Sequence, residues 1–348
     1  MRALIISKQG APVAPNVSLG QVPDAPDPEP HEVRIRTLAS ALNHLDLWVG
    51  RGVPGLTLDY PRVAGCDICG EIEAIGDDVD EAWLGKRVIV NAAIETPPRE
   101  LPGDPPHSMV APEYELLGEH LSPGTHAELF TCPFEQIAAV LDDTDPIEAA
   151  AFGLAHLTAY SMLFSKAGLV PGQSVLITGI GGGVALASLA LARHMGCPAI
   201  VTSRHQHKLD KAAALGAAGV VLDTGQDWSR EARSHTAKRG VDIAVDSIGK
   251  ATHLACIKSL ARGGAYVTPG CTTGPDATTD LARIFWNQLR IYGSTMGSPD
   301  EFREVVSLYN TGSIRPVVDE VFKPDAGADA FAKLESGEQF GKLVIDWR

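Results

Sequence analysis

The sequence predicts an α/β protein: a doubly wound parallel sheet of six strands joined to a second, β-rich domain. Two changes of rhythm along the chain carry this expectation. From Ser174 onward, β-type apolar runs at 175–178, 200–203, 220–222, 243–247, 265–268 and 291–294 alternate with helical stretches. Strands and helices that alternate in this way form a parallel sheet with helices on both faces. Before about residue 140, short β-type runs at 3–6, 32–37, 71–75 and 87–91 are separated by Pro- and Gly-rich turns, the pattern of a strand-rich domain. A chain of 348 residues also exceeds what one hydrophobic core usually supports.

Taken in order, the first domain covers 1–150 and the second 151–296. The tail carries helical stretches at 300–309 and 326–334 and a last strand at 343–345. The sixth strand already completes a doubly wound sheet, so 297–348 is expected to return to the first domain. Residues 95–123, rich in Pro and Glu, read as a long excursion without assignable structure.

Charge and cysteine usage narrow the function classes. Lys and Arg number 29 against 43 for Asp and Glu, and the net charge of -14 repels phosphate backbones and anionic lipid. Neither a nucleic acid nor a membrane is an expected partner. The opening MRALIISKQG lacks a cleavage site of small residues, and the best later apolar run, 184–192, ends at Arg193. Six scattered cysteines do not make a disulfide framework. The expected location is cytoplasmic, with reduced thiols.

The most specific motif is the turn GIGGGV at 179–184, which follows an apolar strand and opens an Ala- and Leu-rich helix. Glycine lets backbone approach a pyrophosphate, and the amides of the helix N-terminus face its charge. Gly181, Gly182, Gly183 and Val184 are therefore candidate dinucleotide contacts in a Rossmann domain, with Ala185 where the last glycine of the fingerprint would fall. About twenty residues on, where a carboxylate would select NAD, the chain reads TSRHQHK at 202–208. Ser203, Arg204 and Lys208 instead suit a 2′-phosphate, so NADP(H) is the expected cofactor.

Five further segments, SALNHLDLW (40–48), VAGCDICGE (63–71), LTAY (157–160), GSTM (293–296) and FGKLV (340–344), together with the glycine turn, resemble the medium-chain dehydrogenase/reductase superfamily, in particular its zinc-free quinone oxidoreductase branch. The resemblance implies that the β-rich domain is a GroES-like catalytic domain. It adds Thr158, Ser247, Gly270, Thr272, Thr295, Met296 and Lys342 to the cofactor contacts. Matching the motifs puts Asn43, Cys66 and Leu154 at the three ligand positions of a catalytic zinc. Zinc needs three Cys, His or carboxylate ligands and an open position, and Cys66 alone offers one here. The stretch 86–131 contains no cysteine for a structural zinc lobe, so no zinc is expected. Cys66 and Cys69 form a CxxC pair; a strand over 64–72 would turn them to opposite faces, which favours buried structural thiols. His44, Asp46 and Asp67 could form an unconventional metal site, though hydrogen bonding is the commoner fate of such residues.

Without a Lewis acid, simple alcohol oxidation loses its main electrostatic support, whereas hydride addition to an activated C=C bond remains feasible. The expected activity is NADPH-dependent reduction of an enone, enal or quinone, a small-molecule substrate. Asn43 is the candidate for orienting substrate or cofactor, His44 for reaching the cofactor, and Tyr60, His44, Cys66 or solvent for supplying a proton; Asp67 completes the candidate set. Two rivals stand beside this reading: an alcohol dehydrogenase with an unconventional zinc site, and a non-catalytic NADPH-binding sensor. Family habit implies a homodimer paired through the last parallel strand.

Overall fold

The computed structural model describes residues 1–94 and 114–348, so most of the excursion at 95–123 lies outside the described residues. Within its described part, Glu115–Leu116 pairs antiparallel with Ala93–Ile94. The chain divides into two compact units, Met1–Ala155 with Ser298–Arg348, and His156–Gly297.

The first unit is built on a sheet in which Ile137–Ala139, Arg87–Val90, Asp67–Ile75, Glu32–Ala41, Lys342–Asp346 and Val318–Phe322 follow one another, with Leu129–Pro133 paired to the start of Glu32–Ala41. The tail strand therefore lies beside the central strand, antiparallel to it. Alternation explains the arrangement: along Glu32–Ala41, Val33 and Ile35 are fully buried while Arg34 and Arg36 pair with Glu73 and Glu71 on the neighbouring strand. A core formed by Leu4, Ile6, Leu42, Leu47, Phe331, Leu343, Ile345 and Trp347 joins the N-terminal strands, the helix His44–Arg51 and the tail helix Gly327–Ser336. Truncating a side chain such as Phe331 in such a core costs about 3–5 kcal/mol.

The second unit is a six-stranded parallel sheet in the order Gly219–Leu222, Ala199–Ser203, Val175–Ile177, Val241–Val245, Leu260–Thr268, Arg290–Gly293. Chain order reverses direction between Val175–Ile177 and Val241–Val245, the switch point at which doubly wound sheets open a crevice at their carboxyl ends. Central strands are apolar throughout, as burial on both faces demands: Val175, Leu176, Ile177, Ile243 and Ala244 are fully buried. The fold is thus the expected mixed α/β architecture, a Rossmann-like parallel sheet with a strand-rich unit.

One local expectation fails. The strand placed at 64–72 begins instead at Asp67 and runs to Ile75. Gly65 adopts φ of +104°, where an added Cβ would lie 2.7 Å from the His126 amide, so the chain turns before the strand starts. Cys66 therefore sits in that turn, and strand alternation is not what separates it from Cys69.

Candidate active site

The register of three neighbouring strands assembles the site of the first unit. Ala41 stands opposite Asp67 on one side and Val344 on the other. Asn43, just beyond Ala41, Asp67 at the head of its strand, and Lys342, just before Val344, therefore meet at one end of the sheet. The backbone bond from the Leu42 amide to the Leu343 carbonyl, 2.9 Å, locks this register.

The Lys342 ammonium donates to Asn43 Oδ1 at 2.5 Å and to Asp67 Oδ2 at 2.8 Å. Asn43 Nδ2 donates to Asp67 Oδ2 at 2.9 Å and to Cys66 Sγ at 3.3 Å. On the opposite face of the carboxylate, the Leu154 amide donates to Asp67 Oδ1 at 2.7 Å. Gly153 makes that last approach feasible, since a Cβ there would lie 2.5 Å from the same oxygen. All four side chains are buried, Lys342 at 5% exposure and Asp67 at 1%. The three residues that the motifs match to zinc-ligand positions thus converge on an ion pair between Asp67 and Lys342. Asn43 is committed through both ends of its amide, and Asp67 through both oxygens.

Burial pushes the Cys66 thiol well above its ordinary range, and the carboxylates of Asp67 and Asp46 push the same way. Burial also raises Cys69, to about 12, but its charged neighbours are Arg87 and Glu71. The two sulfurs occupy different surroundings, and all six cysteines are free thiols.

Sequence reasoning missed the network behind Asn43. Asp46 Oδ2 accepts the Asn43 amide at 2.7 Å, and Asp46 Oδ1 lies 3.6 Å from Nε2 of His126, which is fully buried. His126 Nδ1 pairs with Ser40 Oγ at 2.9 Å, and the Trp347 indole donates to the same hydroxyl at 2.9 Å. The Ser40 hydroxyl, with one proton and two lone pairs, can pair with His126 Nδ1 in either imidazole tautomer while accepting from Trp347, and Nε2 has no hydrogen-bond partner among the described residues. A polar residue at 126 followed by Trp347 is a signal that only the fold makes readable.

Of two further expected groups, Tyr60 is engaged with the backbone. The Tyr60 hydroxyl donates to the Val49 carbonyl, and burial raises its pKa. The phenolic proton is thus already spent on backbone, which weakens Tyr60 as an acid. His44 begins the helix His44–Arg51 with its ring edge-on to Trp48, 5.9 Å between centroids. Burial and the Arg51 charge hold its imidazole below the usual range, despite the opposing pull of Asp46.

In the second unit, the remaining sequence candidates collect at the carboxyl edge of the sheet. The turn after Thr178 places Gly179 at φ +64° and Gly181 at φ +117°, a conformation that side chains rarely adopt. The Ile180 amide donates to the Thr202 carbonyl at 2.9 Å, tying the turn to the next strand end. The helix Gly183–His194 starts with no side-chain cap on Gly182 and no acidic residue in its first turn, among the described residues. Its leading amides at Gly183 and Val184 are thus available to an anion. Ser203 Oγ accepts the His205 amide at 3.1 Å, and Arg204 between them is exposed. Lys208 is instead buried in the first turn of Gln206–Ala214. Asp223, whose amide donates to the Ser203 carbonyl at 2.9 Å, accepts the Gly225 amide on its carboxylate at 2.9 Å.

Ser247, Gly270, Thr272 and Thr295 follow the ends of the next three strands, linked by the Thr272 amide to the Ser247 carbonyl at 3.3 Å. Thr158 Oγ1 lies 3.7 Å from the Met296 sulfur, and Met296 is held at φ +50°. Asp246, absent from the sequence candidates, is fully buried and accepts from Thr178 Oγ1 (2.6 Å), Thr252 Oγ1 (2.8 Å), Tyr266 Oη (2.9 Å) and the Ile248 amide (3.0 Å). It pins three strand ends around the switch point.

Comparison with known proteins places this architecture. Residues 29–142 match the alcohol dehydrogenase GroES-like domain, and 183–311 match the zinc-binding dehydrogenase family. The zinc-type alcohol dehydrogenase-like protein YogA of Leptosphaeria maculans is 32% identical over 92% of each chain. Crotonyl-CoA carboxylase/reductase of Cereibacter sphaeroides is 28% identical over 87% of this chain and 77% of its own. Among solved structures, an NAD-dependent alcohol dehydrogenase superposes with a TM-score of 0.91 at 34% identity, covering 100% of both chains.

Proposed function

Because the chain belongs to the medium-chain dehydrogenase/reductase superfamily and is an oxidoreductase of that family, we propose that it is an NADPH-dependent reductase of C=C bonds conjugated to a carbonyl, or of quinones, that works without catalytic zinc. The observation that carries this reading is the Asp67–Lys342 pair enclosed by Asn43, Cys66 and Leu154. That donor set does not suit a zinc ion. Leu154 offers no ligating side-chain atom, Asn43 Oδ1 already accepts from an ammonium, and burial disfavours the thiolate of Cys66 that a metal would require.

The dinucleotide is a better match to the residues present. The uncapped amides of Gly183 and Val184 suit a pyrophosphate, and Arg204 with Ser203 suits a 2′-phosphate. Thr158, Ser247, Gly270, Thr272, Thr295 and Met296 are proposed to flank the nicotinamide side. When bound, NADPH supplies the hydride. The chain's own task is to bind and orient the acceptor and to stabilise the negative charge that hydride addition develops. The relative named crotonyl-CoA carboxylase/reductase supports the double-bond reading; the structure named NAD-dependent alcohol dehydrogenase keeps the alcohol rival in view.

The test is NADPH consumption screened against enones, enals, quinones and aldehydes, with metal content measured on the same preparation. Turnover of conjugated acceptors that survives chelation supports the proposal. Alcohol or aldehyde turnover that tracks zinc content sinks it, and tight NADPH binding with no turnover favours the sensor.

Two further assignments belong to this reading. Arg290–Gly293 ends the parallel sheet, and Leu281, Phe285 and Trp286 on the adjoining helix are each 70% exposed. Apolar exposure of that extent beside an unpaired strand edge supports a homodimer formed with a second copy. Among the described residues no helix is long and apolar enough to cross a membrane; with all six thiols free, this supports a cytoplasmic location.

A further inference from the structure

We infer that Lys342 is a catalytic residue: its ammonium is the resident cation that holds the carbonyl oxygen of a conjugated acceptor as that oxygen becomes negative. The inference rests on the reductase reading and names the group that replaces a Lewis acid within it.

Three observations carry it. An ammonium has three hydrogens, and among the described residues Lys342 has two acceptors, Asn43 Oδ1 and Asp67 Oδ2. Protein groups thus take two of the three hydrogens and leave the third for an oxygen from outside the protein, on a side chain 95% removed from solvent. Second, the ammonium bonds Asn43 directly, and through Asn43 and Asp67 it is linked to Cys66 and to the Leu154 amide, so it belongs to the cluster formed at the three positions that the motifs match to a metal in zinc enzymes. Third, Asn43 and Asp67 fix the lysine from two sides and leave it little freedom. A donor held in place before the reaction stabilises developing charge without reorganisation, which is the requirement for an oxyanion site. The resemblance of FGKLV also implies a cofactor contact for Lys342; its ammonium bonds Asn43 and Asp67.

The step balances without another co-reactant. Hydride from NADPH adds to the β-carbon and brings the electron pair of the new C–H bond. The C=C π pair shifts to join the α-carbon to the carbonyl carbon, and the carbonyl π pair moves onto oxygen. The resulting enolate oxygen accepts the free hydrogen of Lys342. A solvent proton then adds to the α-carbon as the carbonyl re-forms, and the nicotinamide departs oxidised. The substrate class follows: acceptors whose double bond is conjugated to an oxygen that Lys342 can hold. An isolated alkene gives the ammonium nothing to stabilise.

A ligand whose ionisation reports the cation separates this from catalysis itself. The full-length protein, alone and with NADP+, is titrated with 4-nitrophenol while the visible band of the phenolate is followed against pH. A fixed cation beside the oxygen lowers the apparent pKa of the bound phenol by about one to three units. K342R keeps the shift, because charge is conserved, and K342M abolishes it and weakens phenolate binding about tenfold or more. D67N strengthens phenolate binding, because it removes the competing carboxylate; a merely structural pair would weaken it instead. An unshifted phenol on the wild type, no binding at all, or a shift that persists in K342M overturns the assignment. A wild type that shifts the phenol but reduces no acceptor refutes the reductase reading and leaves the cation site standing; turnover without the shift does the reverse.

Discussion

Removal of the Asp67 charge is the most informative stability perturbation. In Asp67→Asn the side chain keeps its size, and the amide oxygen can accept from Lys342 or from the Leu154 amide but no longer neutralises the ammonium. At the observed 2.8 Å, two unit charges attract by roughly 6 kcal/mol with an effective dielectric constant of about 20. Part of this is offset because a buried carboxylate no longer has to be desolvated. Breaking one side of a buried pair therefore costs about 3–5 kcal/mol, most of it the cost of an uncompensated ammonium. Urea denaturation of the full chain at neutral pH, followed by tryptophan fluorescence and circular dichroism, measures the loss. The double variant Asp67→Asn/Lys342→Met removes both charges and should recover at least about 2 kcal/mol relative to the sum of the two single losses. A loss below about 1 kcal/mol for Asp67→Asn, or single losses that simply add, would refute the claim that these charges are coupled and water-excluded.

Other perturbations test separate links. Gly153→Ala should cost about 1–3 kcal/mol, because its methyl displaces Asp67 Oδ1 from the Leu154 amide; thermal unfolding of the variant reads it, and unchanged stability would mean the helix start shifts freely. Titration of the native chain with a thiol reagent at neutral pH should modify Cys271 first, since the other five cysteines are buried, and burial raises the thiol pKa of each of them; fast loss of Cys66 would contradict its closed environment. Arg204→Ala should raise the Michaelis constant for NADPH about tenfold to a hundredfold and that for NADH little, matching one lost charge-assisted contact of about 1.5–3 kcal/mol; equal effects would remove the 2′-phosphate assignment. Burial alone would raise Asp242, but Arg239 together with the amide and hydroxyl of Ser174 outweighs it and holds the carboxyl at about 2. Its folded value is depressed, so its stabilisation is present above the unfolded value near 4 and is lost as pH falls toward 2, up to about 2 kcal/mol. In Asp242→Asn the acid limb of the stability curve should flatten over that window.

The second unit was largely readable in the sequence because its signals are local. Each parallel strand is a short apolar run, and the glycine turn at 179–184 and the strand-to-helix order need no distant partner to be recognised. Strand ends such as Ala199–Ser203 fall where the runs predict them. The first unit yielded less. Asn43, Cys66 and Asp67 could be singled out from adjacent motifs, but the meaning of Asp67 depends on Lys342, which is 275 positions away and joined by strand register alone. The failed strand start at 64 has a related cause: Gly65 must turn against His126, a contact that alternation cannot reveal. Tyr60 looked like a proton donor by residue type; its hydrogen bond to the Val49 carbonyl is a tertiary fact. His126 and Asp246 escaped because a lone polar residue in an apolar stretch carries no spacing signal.

The insertion of the whole Rossmann unit between the two pieces of the first sheet orders events during synthesis. The strand Glu32–Ala41 leaves the ribosome long before Lys342–Asp346, its neighbour in the sheet, exists. Until that late strand docks, the Asp67 carboxylate has no Lys342 ammonium to meet, and the end of the central strand at 39–41 lacks its partner, although residues 32–36 are already paired with Leu129–Pro133. A nascent chain therefore keeps this short edge at 39–41 unpaired until the tail arrives, a place where an extended segment of another chain could pair.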